Sequence, residues 1–456
     1  MPDSTLDELA DHTGEPVELL CEWRDAGLIG DPDRFGPEDA ERVRLIRLLL
    51  RRGFTLETIV AAERHRERHR GGGLFDEFLG LMYPSGQFPT YSVAEAAEKA
   101  GVDVARAQRL WDAAGFSEHC DAASDGDVAA LASLGTVLDA GIPEPALLEI
   151  VRVYSDTLRK VAEAEIRLFH FHVHERLRAA GVSGPELNEA THGVSHRLLG
   201  LVEPAVLYFH SKGWASAVRD DFALHVAEEA GQSEVAEVPG TLSLAVVFVD
   251  LSQFTPLTDV MGDAIAADIV DRFSNVVRAS VTACHGRIVK QIGDAFMLVF
   301  FEPRTAVACA LEIEERVSAE PQFPAVRSGA HRGPVLYRAG DYVGSTVNLA
   351  SRLEAEAGPH QLLVTGDLRR EAEGLEGVEF VPVGRRRFKG VSEDVEVFEA
   401  RRAGAALREK LVDVVCGMEL GPSEIAATLD VGGEERAFCS TACLQRFVAA
   451  PEQYAG

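Results

Sequence analysis

The stretch that decides the fold runs from Leu244 to Phe300. It opens with LAVVFVDLSQFT (244–255) and closes with GRIVKQIGDAFMLVFF (286–301). In the first segment an apolar run leads straight into Asp250, the pattern of a buried strand that delivers a carboxylate to its end. In the second, two strand-like runs flank Gly293-Asp294, a dipeptide suited to a two-residue hairpin turn. If the strands are neighbours, Asp250 and Asp294 project from one edge, where both can hold hard divalent cations together with phosphate oxygens. A Gly-Asp turn is also ordinary hairpin chemistry, so the spacing alone leaves the carboxylate pair open.

Working outward, TAVACALEIEERV (305–317) has helical periodicity, AVRSGAHRGPVLYR (325–338) is strand-like, and DYVGSTVNLASRLEAEA (341–357) reads as a turn followed by a helix. Asn348 and Arg352 are four apart and share one face of that helix. The order predicts an α+β domain over residues 241–403, its helices packed on one face of a mostly antiparallel sheet. Upstream, EEAGQSEVAEVPG (228–240) is polar and ends in Pro-Gly, which marks 231–240 as a linker.

VFVDLSQFT, GRIVKQIGDAFM and DYVGSTVNLASRLEA, in this order, resemble the class III nucleotidyl cyclases, the adenylate and guanylate cyclases. The resemblance implies a ferredoxin-like catalytic domain and a set of roles. Asp250 and Asp294 correspond to the two metal-binding aspartates, with the Leu251 carbonyl as a further ligand, for two Mg2+ or Mn2+ ions per site. Lys290 and Asp341 correspond to the pair that reads adenine, which points to ATP rather than GTP. Asn348 corresponds to the residue that orients the ribose and Arg352 to the arginine that stabilises charge on the α-phosphate. Phe254 and Thr255 lie in the loop that wraps the triphosphate, and Lys389 in RRRFKGV is a further triphosphate contact. In this family one active site draws on two subunits, so the resemblance implies a head-to-tail homodimer. Gln253 stands where the family often has glycine, which restricts the dihedral choices of the triphosphate loop.

The N-terminal part contains a repeat. LDELADHTGEPVELLCEWRDAGL (6–28) is echoed by VAEAAEKAGVDVARAQRLWDAAGF (93–116), placing Gly14 on Gly101, Trp23 on Trp111, Gly27 on Gly115 and, further on, Gly53 on Gly141. Two tandem winged-helix-like units follow, at 1–75 and 76–150, and each resembles the helix-turn-helix part of MerR-type regulators. Arg42, Arg44, Arg47, Arg51 and Arg52 would serve a DNA-reading helix or, equally, the solvated face of an amphipathic one. Residues 151–230 read as helical, punctuated by Pro185 and Pro204, and hold His170, His172, His174, His192, His196, His210 and His225, half of the 14 histidines. Histidine titrates in the physiological range, so this segment reads as a pH-responsive regulator. His192 and His196, four apart, are also a possible metal pair. The whole layout resembles bacterial cyclases whose N-terminal half is an acid-sensing inhibitor.

The segment 408–456 changes character. Cys416, Cys439 and Cys443 follow a C-x22-C-x3-C spacing, and Cys-Gly-Met with Phe-Cys-Ser resembles the YHS or TRASH-type metal-binding modules. Three thiolates suit Zn2+ or Cu+. Cys21, Cys120, Cys284 and Cys309 read as small buried hydrophobes.

Composition bounds the rest. The chain has 456 residues, 46% of them hydrophobic, and a net charge of -28. That charge repels nucleic acid and anionic membranes over most of the surface. No apolar run is long enough to span a bilayer, and the chain reads as cytoplasmic. The reading reached is a multidomain adenylate cyclase making 3',5'-cyclic AMP and pyrophosphate from ATP, regulated by its all-α N-terminal region. The alternatives are a guanylate cyclase, or a winged-helix DNA-binding regulator with a nucleotide-sensing cyclase-like domain.

Overall fold

The computed structural model describes residues 5–30, 35–70, 73–83, 87–116, 122–230, 238, 240–320, 323–391, 393–404, 411–421 and 424–454. Most of the expected linker at 231–240, and Cys120, lie outside these. The chain divides into two compact units, residues 1–233 and 234–456.

The first unit repeats one helical design. α1 (Leu6–Thr13), α2 (Val17–Asp25), α3 (Pro37–Arg51), α4 (Leu56–Arg70) and α5 (Leu74–Met82) form the first copy; α6 (Val93–Ala100), α7 (Val104–Ala113), α8 (Asp125–Asp139) and the start of α9 (Glu144–Phe169) form the second. Each copy opens on a capping box, Thr5 with Glu8 and Ser92 with Glu95, which satisfies amides the first helical turn leaves free. The matched glycines Gly14 and Gly101, Gly27 and Gly115, Gly53 and Gly141 all have φ between 70° and 95°, a region that only glycine enters without strain. Trp23 and Trp111 fill two separate cores. Of the arginines considered for DNA, Arg42 pairs with Asp76, Arg44 with Glu41 and Arg47 with Glu15, so these charges are already matched within the chain.

A π-helical turn, His170–His174, joins α9 to α10 (Glu175–Ala179), and α11 (Gly184–Glu229) follows. Contrary to the expected break, α11 runs straight through Pro204. Proline removes one amide bond, which the turns propagating on either side outweigh. His192 and His196 lie on α11, but their side chains are outside the described residues.

The second unit is built on one sheet. Its elements are β1 (Thr241–Leu251), α12 (Phe254–Met261), α13 (Asp263–Ala283), β2 (Arg287–Ile292), β3 (Ala295–Phe300), α14 (Pro303–Ser318), β4 (Val326–Arg338), β5 (Asp341–Val343), α15 (Ser345–Glu356), β6 (Leu362–Thr365), α16 (Gly366–Glu371), β7 (Val378–Arg386) and β8 (Val395–Arg402). The strand order is β2-β3-β1-β4-β6-β8-β7, with β5 paired to β4. The pairing is antiparallel except between β4 and β6, where α15 supplies the crossover.

The expectation of helices on one face needs correction. Ala245, Val247 and Val249 of β1 point into a core shared with α13 and α14, whereas Leu244, Val246 and Phe248 point to the other face, with Ala350 of α15. β1 is buried on both sides, which is why its sequence is continuously apolar rather than alternating. Gly329 permits this: a Cβ there would lie 2.0 Å from the Glu354 amide nitrogen, so glycine lets α15 lie directly on β4.

Beyond β8 the chain forms β9 (Leu411–Val412), β10 (Glu419–Leu420), β11 (Ala427–Val431), β12 (Glu434–Phe438) and α17 (Thr441–Ala449). This segment is not a separate bead. Val415, Cys416, Phe438, Cys443 and Phe447 belong to the same hydrophobic core as Val249, Leu257 and Phe273. Docking supplies the burial that so short a segment lacks alone.

Candidate active site

Asp250 ends the apolar part of β1 and is 8% exposed; Leu251, the last residue of that strand, is buried. Asp294 sits in the two-residue turn between β2 and β3, as the sequence anticipates, with Gly293 at φ 65° and Ile292 facing Ala295 across the hairpin. The two carboxylates are close enough to perturb each other. Burial, and then the charge of Asp250, push the Asp294 carboxyl up to about 7.

Two residues that the sequence reading passed over complete this cluster. Arg327 lies opposite Asp250 in the β1–β4 register. Its Nη2 donates to Asp250 Oδ2 at 2.6 Å and its Nε lies 2.9 Å from Glu354 Oε1. Burial also raises Glu354 to about 7. Three carboxylates thus share one guanidinium, a deficit of positive charge that a divalent cation would fill. Ser252 Oγ, in a residue only 3% exposed, has no hydrogen-bond partner among the described residues. Hard oxygen donors and an orphan hydroxyl fit Mg2+ or Mn2+ with a phosphate ligand.

Gln253 adopts φ 59° and ψ 31°. The chain therefore keeps the left-handed turn a glycine would make, at a cost of about 1–2 kcal/mol for a residue with a Cβ. Phe254 and Thr255 follow as the first residues of α12, whose free amides face the end of the loop.

Lys290, on β2, is ion-paired with Asp341 at the start of β5. Asp341 Oδ1 also accepts from the Tyr342 amide at 2.8 Å, which fixes the carboxylate. Both side chains are about one-third exposed and remain accessible. Asn348 is exposed on α15 and Arg352, one turn on, is half-buried. The Arg352 guanidinium lies beside Gly390, 3.6 Å from where a Cβ would stand there, next to the exposed Lys389. A cavity of about 570 Å³ on the single chain is lined instead by His331, Thr365, Asp367, Arg370 and Arg385 among others, and by none of these candidate residues.

Residues 237–399 match the family of the adenylate and guanylate cyclase catalytic domain. An adenylate cyclase of Streptomyces coelicolor is 31% identical over 277 residues, covering 60% of this chain and 69% of the relative. The chain belongs to the class III cyclases. A pH-sensitive adenylate cyclase of Mycobacterium tuberculosis is 28% identical to this cyclase over 388 residues, covering 82% of the chain and 91% of the relative. Residues 4–65 of the cyclase match the MerR helix-turn-helix regulatory family. The adenylyl cyclase CyaB from P. aeruginosa aligns at 20% identity and a TM-score of 0.33, covering 37% of this chain and 97% of that one.

The C-terminal cysteines come together as the spacing implies. Cys416 Sγ is 3.5 Å from Cys439 Sγ, which is 3.6 Å from Cys443 Sγ. The sequence reading missed a fourth member: Asp413, fully buried, lies within 4.8 Å of the thiols. Hydrogen bonds from Cys416, Cys439 and then the Ser440 hydroxyl draw the Cys443 thiol down to about 4. Among the described residues, no helix is long and apolar enough to cross a membrane.

Proposed function

We propose that this cyclase converts ATP to 3',5'-cyclic AMP and pyrophosphate in the cytoplasm, at sites shared between two head-to-tail subunits. The observation that carries the choice of ATP is the Lys290–Asp341 pair. Adenine offers a donating amino group beside an accepting ring nitrogen, which an aspartate and a lysine complement; guanine offers the reverse, so its carbonyl would face Asp341. The names of the relatives from Streptomyces and Mycobacterium support the same substrate.

Asp250, Asp294 and the Leu251 carbonyl would hold two Mg2+ or Mn2+ ions, whose chemistry is to acidify the attacking 3'-hydroxyl and neutralise the leaving pyrophosphate. The chain's own groups do the positioning. Amides at Phe254 and Thr255, with Lys389, hold the triphosphate. Asn348 orients the ribose, and Arg352 stabilises charge that grows on the α-phosphate. Exposed Ile292 and Val343, each two residues beyond a member of the base-reading pair, and Tyr337, beside Asp341's register partner Arg338, supply apolar surface for the second subunit.

Regulation by the first unit is proposed through the π-helical turn. His170 and His174 stack at 5.3 Å and both approach Glu175, while burial, His170 and Arg178 depress His174. The sign follows: a histidine held below its usual pKa favours the neutral stack, so acidification through the ordinary histidine range loads charge into the turn and destabilises it. The C-terminal thiols are proposed to bind Zn2+ or Cu+.

The test is product formation by the purified chain with Mn2+ and either ATP or GTP. Cyclic AMP from ATP in large excess over cyclic GTP is expected; preferential turnover of GTP overturns the base-reading assignment.

A further inference from the structure

The cysteine cluster shares its core with Leu257 of α12, behind the triphosphate loop, and two further contacts with that region leave from residues within one turn of the thiols. Gly417, next to Cys416, is packed so tightly that a Cβ there would lie 2.0 Å from the Ser252 carbonyl oxygen and 3.0 Å from Gln253 Cβ. A relay of backbone bonds runs alongside: the Ala325 amide donates to the Gly417 carbonyl at 3.0 Å, and the Ser252 amide donates to the Ala325 carbonyl at 2.8 Å. At the other end of α12, Arg446 Nη2 donates to the Asp259 carbonyl at 2.7 Å. Arg446 is one turn beyond Cys443 on α17. The segment thus grips the strained turn before α12 and the last turn of α12 itself.

We propose that the cluster is an allosteric zinc site whose occupancy sets the geometry of the Ser252–Gln253 turn and α12, and through them the affinity for the nucleotide triphosphate. This rests on the reading of the three cysteines as a metal site.

The donor set decides the ion. Zn–S bonds of about 2.3 Å in a tetrahedron put sulfurs about 3.8 Å apart, near the spacing found here. Asp413 Oδ2 accepts one bond, from the Cys439 amide at 2.7 Å, which leaves it lone-pair capacity for a metal. Oδ1 accepts from the Val415 amide at 2.9 Å and the Cys416 amide at 3.4 Å, fixing the loop that carries the first thiol. Three thiolates and a carboxylate suit borderline Zn2+; Cu+ prefers sulfur alone.

The physical coupling is short. The three thiols come from three pieces, the turn at Cys416, Cys439 just after β12, and Cys443 on the α12-facing helix α17. Without an ion, these pieces are held by packing and by the Asp413 hydrogen bonds to the Cys416 and Cys439 amides, and no bond among the described residues ties Asp413 to the backbone of α17. With it, Gly417 and Arg446 become two fixed points that clamp α12 from both ends. Gln253 is the part that needs clamping, because its left-handed backbone is unfavourable for a residue with a side chain.

The experiment uses the full chain. Bound zinc is counted per chain by mass spectrometry, and amide exchange over residues 252–261 and KM for ATP with Mn2+ are measured with and without zinc. One zinc per chain, slower exchange over 252–261 and a KM lower by about fivefold are expected. Two variants keep the test sound if the zinc-free chain unfolds. Arg446→Ala and Gly417→Ala leave every ligand in place, so both should retain zinc while exchange over 252–261 rises and KM increases. No bound zinc overturns the metal reading itself. Bound zinc, with exchange over 252–261 and KM unchanged by zinc and by both variants, leaves the metal reading intact and overturns the coupling.

Discussion

The second unit carries two clusters proposed to hold cations, and they are opposites. Around Asp250 and Asp294 the donors are oxygens, the carboxylates repel one another, and Arg327 holds the place of a missing positive charge. Around Cys416 the donors are mostly sulfurs, spaced like ligands of one ion and fixed by a buried aspartate that ties two of their backbones together. The first cluster carries a mutual repulsion that a cation would relieve, whereas the second is already tied together by Asp413. A site that must release product each cycle suits the first arrangement, and a resident ion suits the second.

The largest expected effect tests whether the two are independent. Asp250→Asn should lower cyclic AMP formation by about 10³-fold or more while zinc per chain stays the same. A joint loss of activity and zinc would mean the clusters are one structural unit and break the comparison. Next, Lys290→Ala should raise KM for ATP by about 10–100-fold with a smaller change in kcat, since it removes binding to the base rather than charge stabilisation. A fall confined to kcat would place Lys290 in the chemistry instead.

A third test uses pH. Asp294 has its carboxyl raised from 3.8 to about 7, so the stability it contributes is full below the ordinary carboxylate range and is lost as pH rises through about 7. The metal-free protein should therefore melt at lower temperature as pH is raised over this window, and the gain in melting temperature from Mn2+ should grow in step. A Mn2+ effect independent of pH would remove the repulsion argument. The smallest effect is expected at Gln253→Gly, which relieves a left-handed backbone and should stabilise the chain by about 1 kcal/mol in denaturant melts, less the entropy glycine adds to the unfolded state.

What the sequence disclosed follows from how local each feature is. The hairpin turn, the burial of β1 and the pairing of glycines in the N-terminal repeat were legible because a few adjacent residues set each one. Arg327 and Glu354 were not, because their meaning lies in a register partner and in a helix laid over a glycine, both remote in sequence. Asp413 escaped for a similar reason, since a carboxylate three residues before a cysteine has no motif signal until β12 brings Cys439 to it. Pro204 misled, because a proline's local preference was overridden by long helical turns on both sides.

The shared core has a consequence for how the molecule is made. Phe438, Cys443 and Phe447 complete a cluster begun by Ala245 and Val247. During synthesis the early strand waits, its apolar side uncovered, until residues far downstream leave the ribosome. A chain cut short before α17 would then be an unfinished enzyme, exposed to aggregation and proteolysis, rather than a cyclase lacking an appendage.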